Sequence, residues 1–504
     1  MKKEIKFGAV LGYVNMLINI LVTLIYTPFL IRMLGQSEYG LYSLVSSVIA
    51  YLSVLDMGFG NAMIRFISRS HAKNDNQESK INGMFLFLYS VIGVISIIIG
   101  VLLIKNTGAI FSNSLTTLEI EKAKILMMIL VFNVSLSFPL SVFDSYIIAN
   151  EKFIYSKLIT ILRTILKPLI MLPLLFFGYK SITLTIVITT INLLGHLAML
   201  IYCIKILKIK VSFSFKNFDK SLMKEISFYS FFIFLNIIVD NLFHNTDQVI
   251  LGIVSGTIAV SIYSVATQII NMNTQFSTII SSLFFPKITK VLEDVDANKK
   301  LSDLFLKVSR IQLYIMTLIM FGFFVFGKFF IELWVGLEYI EAYYIILIII
   351  TPSIVPLTQN LAISILQAKN KHQFRSIVYI IIAIANVFIS IPLAKAYGGI
   401  GAAIGTALAT LCGQIITMNI YYYKKINLDI PKYWCFLIKF LLQILIFSVV
   451  FVMLLNNINL TIYKYCILIV MYVIIYFTLV YINMNEYEKN LLLSFLNKFR
   501  RKIK

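Results

Sequence analysis

The stretch Phe7–Ile31, FGAVLGYVNMLINILVTLIYTPFLI, carries no charged residue. A helix needs about 20 mostly apolar residues to cross the hydrocarbon core of a bilayer, and this stretch exceeds that length. It is also longer than the apolar core of a signal peptide, and no small-residue cleavage site follows it. We therefore expect a retained membrane span. Comparable stretches recur along the chain as far as Tyr481.

The composition of the whole chain extends this interpretation. The 504 residues are 59% hydrophobic, with a mean hydropathy of +0.89, and 13% are charged, against roughly 25% in soluble domains. The sequence therefore predicts an all-α integral membrane protein of about fourteen transmembrane helices. We assign the net charge of +21 to the cytoplasmic ends of spans and not to nucleic-acid binding.

The distribution of Lys and Arg predicts the orientation. With the N-terminus placed inside, the inside segments carry about four times as many Lys and Arg residues as the outside segments. Adding or omitting one helix would destroy this bias, so we expect both termini to be cytoplasmic. The basic inside segment Lys205–Lys224 would lie near anionic lipid headgroups, which makes membrane lipids expected partners.

The first twelve predicted helices contain an internal repeat. Leu34–Gly35 is echoed by Leu251–Gly252, and the turn Ala149–Lys152 by Ala368–Lys371, at an offset of about 220 residues. A shift of six helices preserves orientation, so the sequence predicts two parallel-related six-helix lobes followed by two C-terminal helices. The predicted division is 1–210, 211–425 and 426–504.

Two cations fall inside a predicted span. Arg163 and Lys167 are four residues apart and share a helical face. One interpretation is a cationic wall that receives a phosphate-bearing headgroup. The other is that Lys167 extends to the membrane surface while Arg163 pairs with an acid such as Asp144. The sequence leaves both open.

The seventh predicted helix is unusually polar. Asn236, Asp240, His244 and Asp247 follow the spacing of one helical face. Such a stripe lines water or another polar helix. In a water-filled space, Asn236 and His244 are candidates for contact with sugar hydroxyls, and Asp240 and Asp247 are candidates for coupling to a cation or proton. For His244 the alternative is a simple helix-packing role.

The second predicted helix ends in Asp56-Met57-Gly58-Phe59-Gly60, followed by Arg65. Its glycines predict a bend or a close helix approach. Farther along, the spacing of Gly401 and Gly405 predicts tight helix packing.

Enzyme and cofactor motifs are missing from the sequence. The segment Gly322–Lys328 imitates a phosphate-binding loop but is followed by Phe329 where Ser or Thr is required. No HExxH, GxSxG or CxxC pattern occurs. We expect neither an enzyme nor a bound metal or cofactor.

Several of these segments resemble a known family. Leu34–Tyr42, Leu55–Gly60 and Gly398–Ala403 are similar to the polysaccharide-export branch of the multidrug/oligosaccharidyl-lipid/polysaccharide exporter superfamily, which includes O-antigen and capsule flippases. The resemblance covers roughly residues 7–423. It implies a two-lobed transporter that moves undecaprenyl-diphosphate-linked glycans outward by alternating access. It also implies a cavity walled by helices 1, 2, 7 and 8, to which Asp56, Gly58 and Arg65 would contribute.

The leading hypothesis is therefore a lipid-linked oligosaccharide flippase in a bacterial cytoplasmic membrane, serving O-antigen or capsule synthesis. A polysaccharide polymerase is a candidate partner. A drug or cation antiporter of the same superfamily is the first alternative, because of the polar stripe on helix 7. A polytopic glycan polymerase is the second, and it is disfavoured because the predicted outside loops are short.

Overall fold

The computed structural model of the chain describes residues 2–73, 77–212, 220–369, 371, 373–455 and 462–490. Within these ranges all regular secondary structure is helical. The α-helices in chain order are α1 (Lys2–Leu34), α2 (Gln36–Ala50), α3 (Phe59–Lys73), α4 (Glu78–Phe111), α5 (Thr117–Ala149), α6 (Phe153–Phe176), α7 (Ser181–Lys205), α8 (Lys220–Val254), α9 (Gly256–Val291), α10 (Ala297–Trp334), α11 (Glu341–Thr358), α12 (Asn360–Ala368), α13 (Gln373–Ala409), α14 (Met418–Tyr421), α15 (Ile430–Leu455) and α16 (Ile462–Asn483).

The expectation of a multi-span membrane protein is confirmed. Eleven stretches of the described chain are helices long and apolar enough to cross a membrane. One of them, Gln373–Ile426, covers 54 residues and two predicted spans, because α13 consists of two helices that meet at a kink at Gly398, where φ is 58° and ψ is −134°. π-Helical turns follow at Thr410–Thr417 and Tyr422–Ile426. The helices α8 and α9, of 35 and 36 residues, correspond to the seventh and eighth predicted spans.

The predicted bend in the second span is confirmed. After α2 the chain tightens into a 3₁₀ turn, Tyr51–Asp56, and α3 begins at Phe59. Between them Met57 and Gly58 have φ angles of 49° and 72°. This left-handed backbone ends the 3₁₀ turn and separates it from α3, because a helix cannot continue through it.

Helix boundaries recur at the offset of the sequence repeat. The helices α5 and α12 end at the two matching alanines, Ala149 and Ala368. Gly35 and Gly256 precede or begin a helix with φ angles of 84° and 81°. Glycine suits both places because it adopts a positive φ at little cost. These boundaries agree with the offset of the repeat, and the two parallel-related lobes stay a prediction.

The start of α5 shows how the sequence fixes a helix end. Thr116 accepts a hydrogen bond from the Glu119 backbone N–H, and Glu119 accepts one from the Thr116 N–H in return. This capping box satisfies donors that have no partner within the helix. Glu119 also accepts from Ser37, at 2.8 Å, and from Thr257, at 2.9 Å, so the capped end is tied to α2 and α9.

The helices form two compact units. The first contains residues 1–268 with 373–409, and in it α4 packs on α5, α1 on α6, α7 on α5, and α13 on α8. The second contains residues 269–372 with 410–504, and in it α10 packs on α11, α15 and α16. These units follow helix contacts. The division 1–210, 211–425 and 426–504 follows the repeat and stays a prediction.

A buried ion pair holds the second unit together. Arg310 of α10 donates to Glu488, with Nε 2.6 Å from the carboxylate, and Glu488 is 3% exposed. The Arg310 guanidinium also lies 3.8 Å from the ring centroid of Phe436 on α15. One cation therefore joins α10, α15 and the segment that follows α16.

Candidate functional site

Arg163 and Lys167 lie one turn apart on α6, and both are half-buried. The Arg163 guanidinium lies directly against Gly195 of α7. A Cβ atom added at Gly195 would stand 1.7 Å from Arg163 Nε. Glycine is therefore the residue that makes room for the guanidinium between α6 and α7.

Asp144 of α5 stands beside this pair of cations. Its carboxylate is close enough to act electrostatically on Arg163, and its Oδ2 atom lies 3.0 Å from Nδ1 of His196 on α7. That separation suits an ion pair, although the imidazole is not oriented for a hydrogen bond. In the part of the chain that the structure describes, Asp144 lies at ion-pair distance from His196, whose imidazole is charged only when protonated, and forms no ion pair with Arg163.

Polar atoms in this cluster are left without partners. Arg163 Nε and Nη2 and Asp144 Oδ1 are buried and form no hydrogen bond with any described residue. An unsatisfied buried donor is costly, and more so when it is charged. Two cations against one carboxylate give the cluster a positive balance. The chemistry of the cluster suits an anionic oxygen group, and the first interpretation of the pair stays a prediction.

The polar stripe on α8 has one buried end, at Asp247, and exposed residues nearer its start. Asp247 is 2% exposed and is enclosed by α9 and α13. Its Oδ2 atom accepts hydrogen bonds from Tyr263 and from Thr406, the latter at 2.6 Å. Its Oδ1 atom is buried without a hydrogen-bond partner among the described residues.

Neutral groups continue the network around Asp247. Asn386 donates to Thr406 at 3.2 Å, and Ser390 donates to Asn386 at 3.1 Å. The predicted tight packing at Gly405 is confirmed, since an added Cβ there would stand 2.2 Å from Ser390 Oγ. Within the described ranges, no Lys, Arg or His forms an ion pair with Asp247. A buried carboxylate that only hydroxyl groups contact among the described residues suits a small cation or a proton.

The other members of the stripe face a different environment. Asp240 and His244 are exposed and Asn236 is half-buried. The Ser376 hydroxyl of α13 donates to Asn236 Oδ1 at 3.3 Å. His244 and Arg375 both act electrostatically on Asp240. Sequence reasoning missed Arg375, because it counted this residue only as a marker of a cytoplasmic helix end.

The motif at the end of the second span has a visible local role. Asp56 accepts a hydrogen bond from Tyr89 at 2.6 Å, next to the left-handed turn. Gly58 is pressed against α8, where an added Cβ would stand 2.4 Å from the Ile233 side chain. Arg65 lies on α3 and is exposed. Asp56 and Gly58 thus shape the helix break, and a substrate contact by Asp56 or Arg65 remains a prediction.

A hydroxyl-rich seam joins α2 to α8 and α9, and sequence reasoning missed it. Ser47 donates to Gln248, and Gln268 donates to Tyr39 at 2.6 Å and accepts from Thr27 at 2.8 Å. Tyr39, Ser47 and Tyr51 recur at multiples of four residues, which places them on one helical face. That spacing was the sequence signal for the seam. It is weak, because small hydroxyl-bearing residues are common in membrane spans.

Comparison with known proteins places these features in a family. Residues 7–292 match the family model described as polysaccharide biosynthesis protein. A Shigella flexneri protein described as an O-antigen transporter is 21% identical over 415 residues, which cover 79% of this chain and 94% of that protein.

Solved structures share the fold. The lipid II flippase MurJ in an inward closed conformation matches with a TM-score of 0.70 at 16% identity, over 96% of this chain and 99% of that chain. An inward-facing multidrug resistance transporter of the MATE family, from the MOP superfamily, matches with a TM-score of 0.61 at 13% identity, over 83% and 99%. The fold is thus that of these membrane transporters. Since the family model covers more than half of its length, the chain belongs to the polysaccharide biosynthesis protein family.

Proposed function

We propose that this protein is a flippase that moves an undecaprenyl-diphosphate-linked oligosaccharide from the cytoplasmic to the outer leaflet of a bacterial membrane. Family membership, the shared transporter fold and the similarity to an O-antigen transporter support the class of substrate. The observation that carries the proposal is the Arg163 guanidinium next to Lys167, whose buried Nε and Nη2 atoms have no hydrogen-bond partner among the described residues.

The proposed mechanism is alternating access. The diphosphate of the carrier lipid binds Arg163 and Lys167, because a guanidinium donates paired hydrogen bonds to phosphate oxygens. Asp247 binds a cation or proton whose movement drives the cycle, and the seam between α2 and α8 opens to release the glycan outside. Asp56, Arg65, Asn236 and His244 are proposed to contact the substrate. The position of both termini in the cytoplasm and the partnership with a polymerase belong to the same proposal.

The test uses a deletion strain complemented with variants. Without the protein, lipid-linked repeat units should accumulate on the cytoplasmic leaflet, where an impermeant sugar-modifying enzyme added to spheroplasts does not reach them. Wild type should restore access, and the Arg163→Gln/Lys167→Gln variant should not. Lys439→Gln is a matched control, because Lys439 is an exposed cation on α15. Repeat units that are accessible from outside in the deletion strain would refute the flippase.

The antiporter alternative is favoured by one observation, the enclosed carboxylate of Asp247. It predicts that deletion sensitises cells to cationic drugs while lipid-linked glycans are still exported. The same strain therefore separates the two functions.

A further inference from the structure

A buried group of uncharged polar side chains, the α9–α10 polar seam, lies between α10 and the part of α9 that belongs to the second unit. On α9 its members recur every four positions, at Asn273, Ser277 and Ser281, and on α10 they are Ser309 and Gln312. Each of these side chains is at most 4% exposed. Gln312 is 15 residues from the first residue of α10 and 22 from the last, so the seam lies within a membrane span.

The amide of Gln312 has a fixed orientation in this seam. Its Nε2 atom donates to the backbone carbonyl of Ser277, at 3.0 Å, and to the hydroxyl of Ser281, at 2.8 Å. A carbonyl oxygen only accepts hydrogen bonds, so the amide nitrogen must face α9 and Oε1 must occupy the other branch of the amide. That Oε1 atom is buried and accepts no hydrogen bond from the described chain.

Two more oxygen atoms of the seam are buried without a hydrogen-bond partner among the described residues, namely Asn273 Oδ1 and Ser309 Oγ. Asn273 lies one turn from Ser277, and Ser309 lies one turn from Gln312, so the three oxygens belong to neighbouring turns. Burial of a polar atom without a partner costs free energy. Three such atoms in one seam indicate a ligand that supplies positive charge or hydrogen-bond donors.

A helix break adds negative potential to the same seam. The helix α11 has 18 residues and ends at Thr358, and α12 begins at Asn360. Ser277 connects the seam to this break, because its hydroxyl donates to the Leu357 carbonyl at 2.5 Å and accepts from Asn360 Nδ2 at 3.1 Å. The C-terminal end of an α-helix carries a partial negative charge, and in membrane transporters the ends of broken helices coordinate cations. The break therefore favours a cation over a neutral ligand.

We propose that the α9–α10 polar seam binds a single alkali cation, sodium or potassium, through Gln312 Oε1, Asn273 Oδ1 and Ser309 Oγ. The residues of the seam include no carboxylate, so a divalent cation would lack the negative charge that calcium and magnesium sites supply. Arg310 lies between Ser309 and Gln312 in the sequence, but the buried carboxylate of Glu488 balances its charge. The ion joins α9 and α10 at the end of α11 and stabilises the second unit. This inference goes beyond the proposed function and does not depend on it.

An ordered water molecule is the alternative occupant, since water also donates hydrogen bonds to buried oxygen atoms. The two occupants differ in their response to salt. A bound cation stabilises the folded chain increasingly as its concentration rises above the dissociation constant. A water molecule gives no such dependence, so exchange of one cation for another in the buffer separates the two.

The experiment measures equilibrium binding of radioactive sodium, and of radioactive rubidium as a potassium analogue, to the purified full chain in nanodiscs. Every chain carries Asp247→Asn, which removes the carboxylate proposed to bind the driving ion, so that binding at the seam is measured alone. This parent chain should bind sodium or rubidium saturably, and replacing choline by the bound ion should raise its unfolding temperature. Competition between the two ions identifies the one preferred. If neither ion binds saturably, the seam holds water and the inference is overturned.

Ser309→Ala is the decisive variant, because it removes an unpartnered hydroxyl and should not destabilise the fold. It should weaken binding of the ion about tenfold, as expected for a lost contact to a charged group. Ser302→Ala is the matched control, a buried serine two turns earlier on α10 that accepts from the Asp429 N–H at 2.9 Å, and it should bind as the parent does. Equal affinities in Ser309→Ala and the parent, or equal weakening by Ser302→Ala, would overturn the inference.

Gln312→Leu tests the ligand whose orientation is fixed. It should abolish saturable binding, and size-exclusion chromatography checks that the variant is folded. Binding by folded Gln312→Leu with the affinity of the parent would also overturn the inference. If Gln312→Leu does not fold, the comparison of Ser309→Ala with Ser302→Ala decides.

Discussion

Asp144 and Asp247 are two carboxylates on membrane helices, and their charges are compensated in opposite ways. Asp144 lies 3.0 Å from His196 and within the electrostatic reach of Arg163. Asp247 is enclosed by the hydroxyls of Tyr263 and Thr406. In the first region positive charge is in excess, and in the second the negative charge has only neutral neighbours among the described residues.

The difference indicates which kind of ligand would complete each region. A cluster with unsatisfied guanidinium donors is stabilised by an anion, and an isolated buried carboxylate is stabilised by a cation or a proton. We therefore propose that one chain carries a site for an anionic substrate and a separate site for a driving ion. Substitutions that remove one element of either region test this contrast.

The largest effect is expected at Asp247. Asp247→Asn keeps the shape of the side chain but removes the one formal charge that the described residues place in its network, so transport should stop responding to the membrane potential. Moving one charge through 100 mV is worth about 2.3 kcal/mol, or about fiftyfold in an equilibrium ratio. The measurement is accumulation of a lipid-linked substrate in proteoliposomes under an imposed potassium diffusion potential.

The matched control for this variant comes from the other region. Asp144→Asn also neutralises a carboxylate on a membrane helix, but it should leave the response to potential intact. The assigned roles would be wrong if transport by Asp247→Asn still responded to the membrane potential. They would also be wrong if transport by Asp144→Asn did not respond to it.

A tenfold effect is expected at Gly195. Gly195→Ala places a methyl group where the Arg163 guanidinium lies, and overpacking of this kind costs roughly 1–3 kcal/mol. Displacement of the guanidinium should therefore weaken binding of undecaprenyl diphosphate about tenfold, since 1.4 kcal/mol corresponds to one factor of ten. Equilibrium binding in nanodiscs checks this result.

Two comparisons show whether the Gly195 effect acts through Arg163. Gly322→Ala on α10 should be silent, because an added Cβ there has no neighbouring atom within 4 Å. In an Arg163→Gln background, Gly195→Ala should add little, because the displaced group is already gone. An equal loss in both backgrounds would mean that the alanine disturbs helix packing and not the guanidinium.

The sequence was sufficient to predict the helices, because the length of an apolar stretch is a local property. It was also sufficient to predict the bend, because Gly58 marks it. It also placed Asp240 and Asp247 on one face, since that follows from spacing alone. It could not foresee that α13 encloses Asp247 and leaves Asp240 exposed. Which helix covers which end of a polar stripe depends on tertiary packing.

The same limit explains the missed residues of the site. Gly195 acquires its meaning only when α7 packs against Arg163, and no local pattern pairs the two. Arg375 was hidden by its position near a helix end, where a cation is usual. A cation near the end of a span is thus better judged after its neighbours are known.

The smallest effect is expected at Ser390, whose hydroxyl belongs to the network around Asp247. Ser390→Ala removes a hydroxyl that donates to Asn386 Oδ1 at 3.1 Å, and a net hydrogen bond is worth about 1 kcal/mol. The coupling ion should then bind about fivefold more weakly, because Asn386 is less well held against Thr406. Half-saturating sodium or proton concentrations for transport measure this shift. Ser448→Ala is the matched control, a buried serine that bonds Tyr472. An equal shift in both variants would mean that the network around Asp247 does not bind the ion, and the contrast between the two carboxylates would then lose its functional meaning.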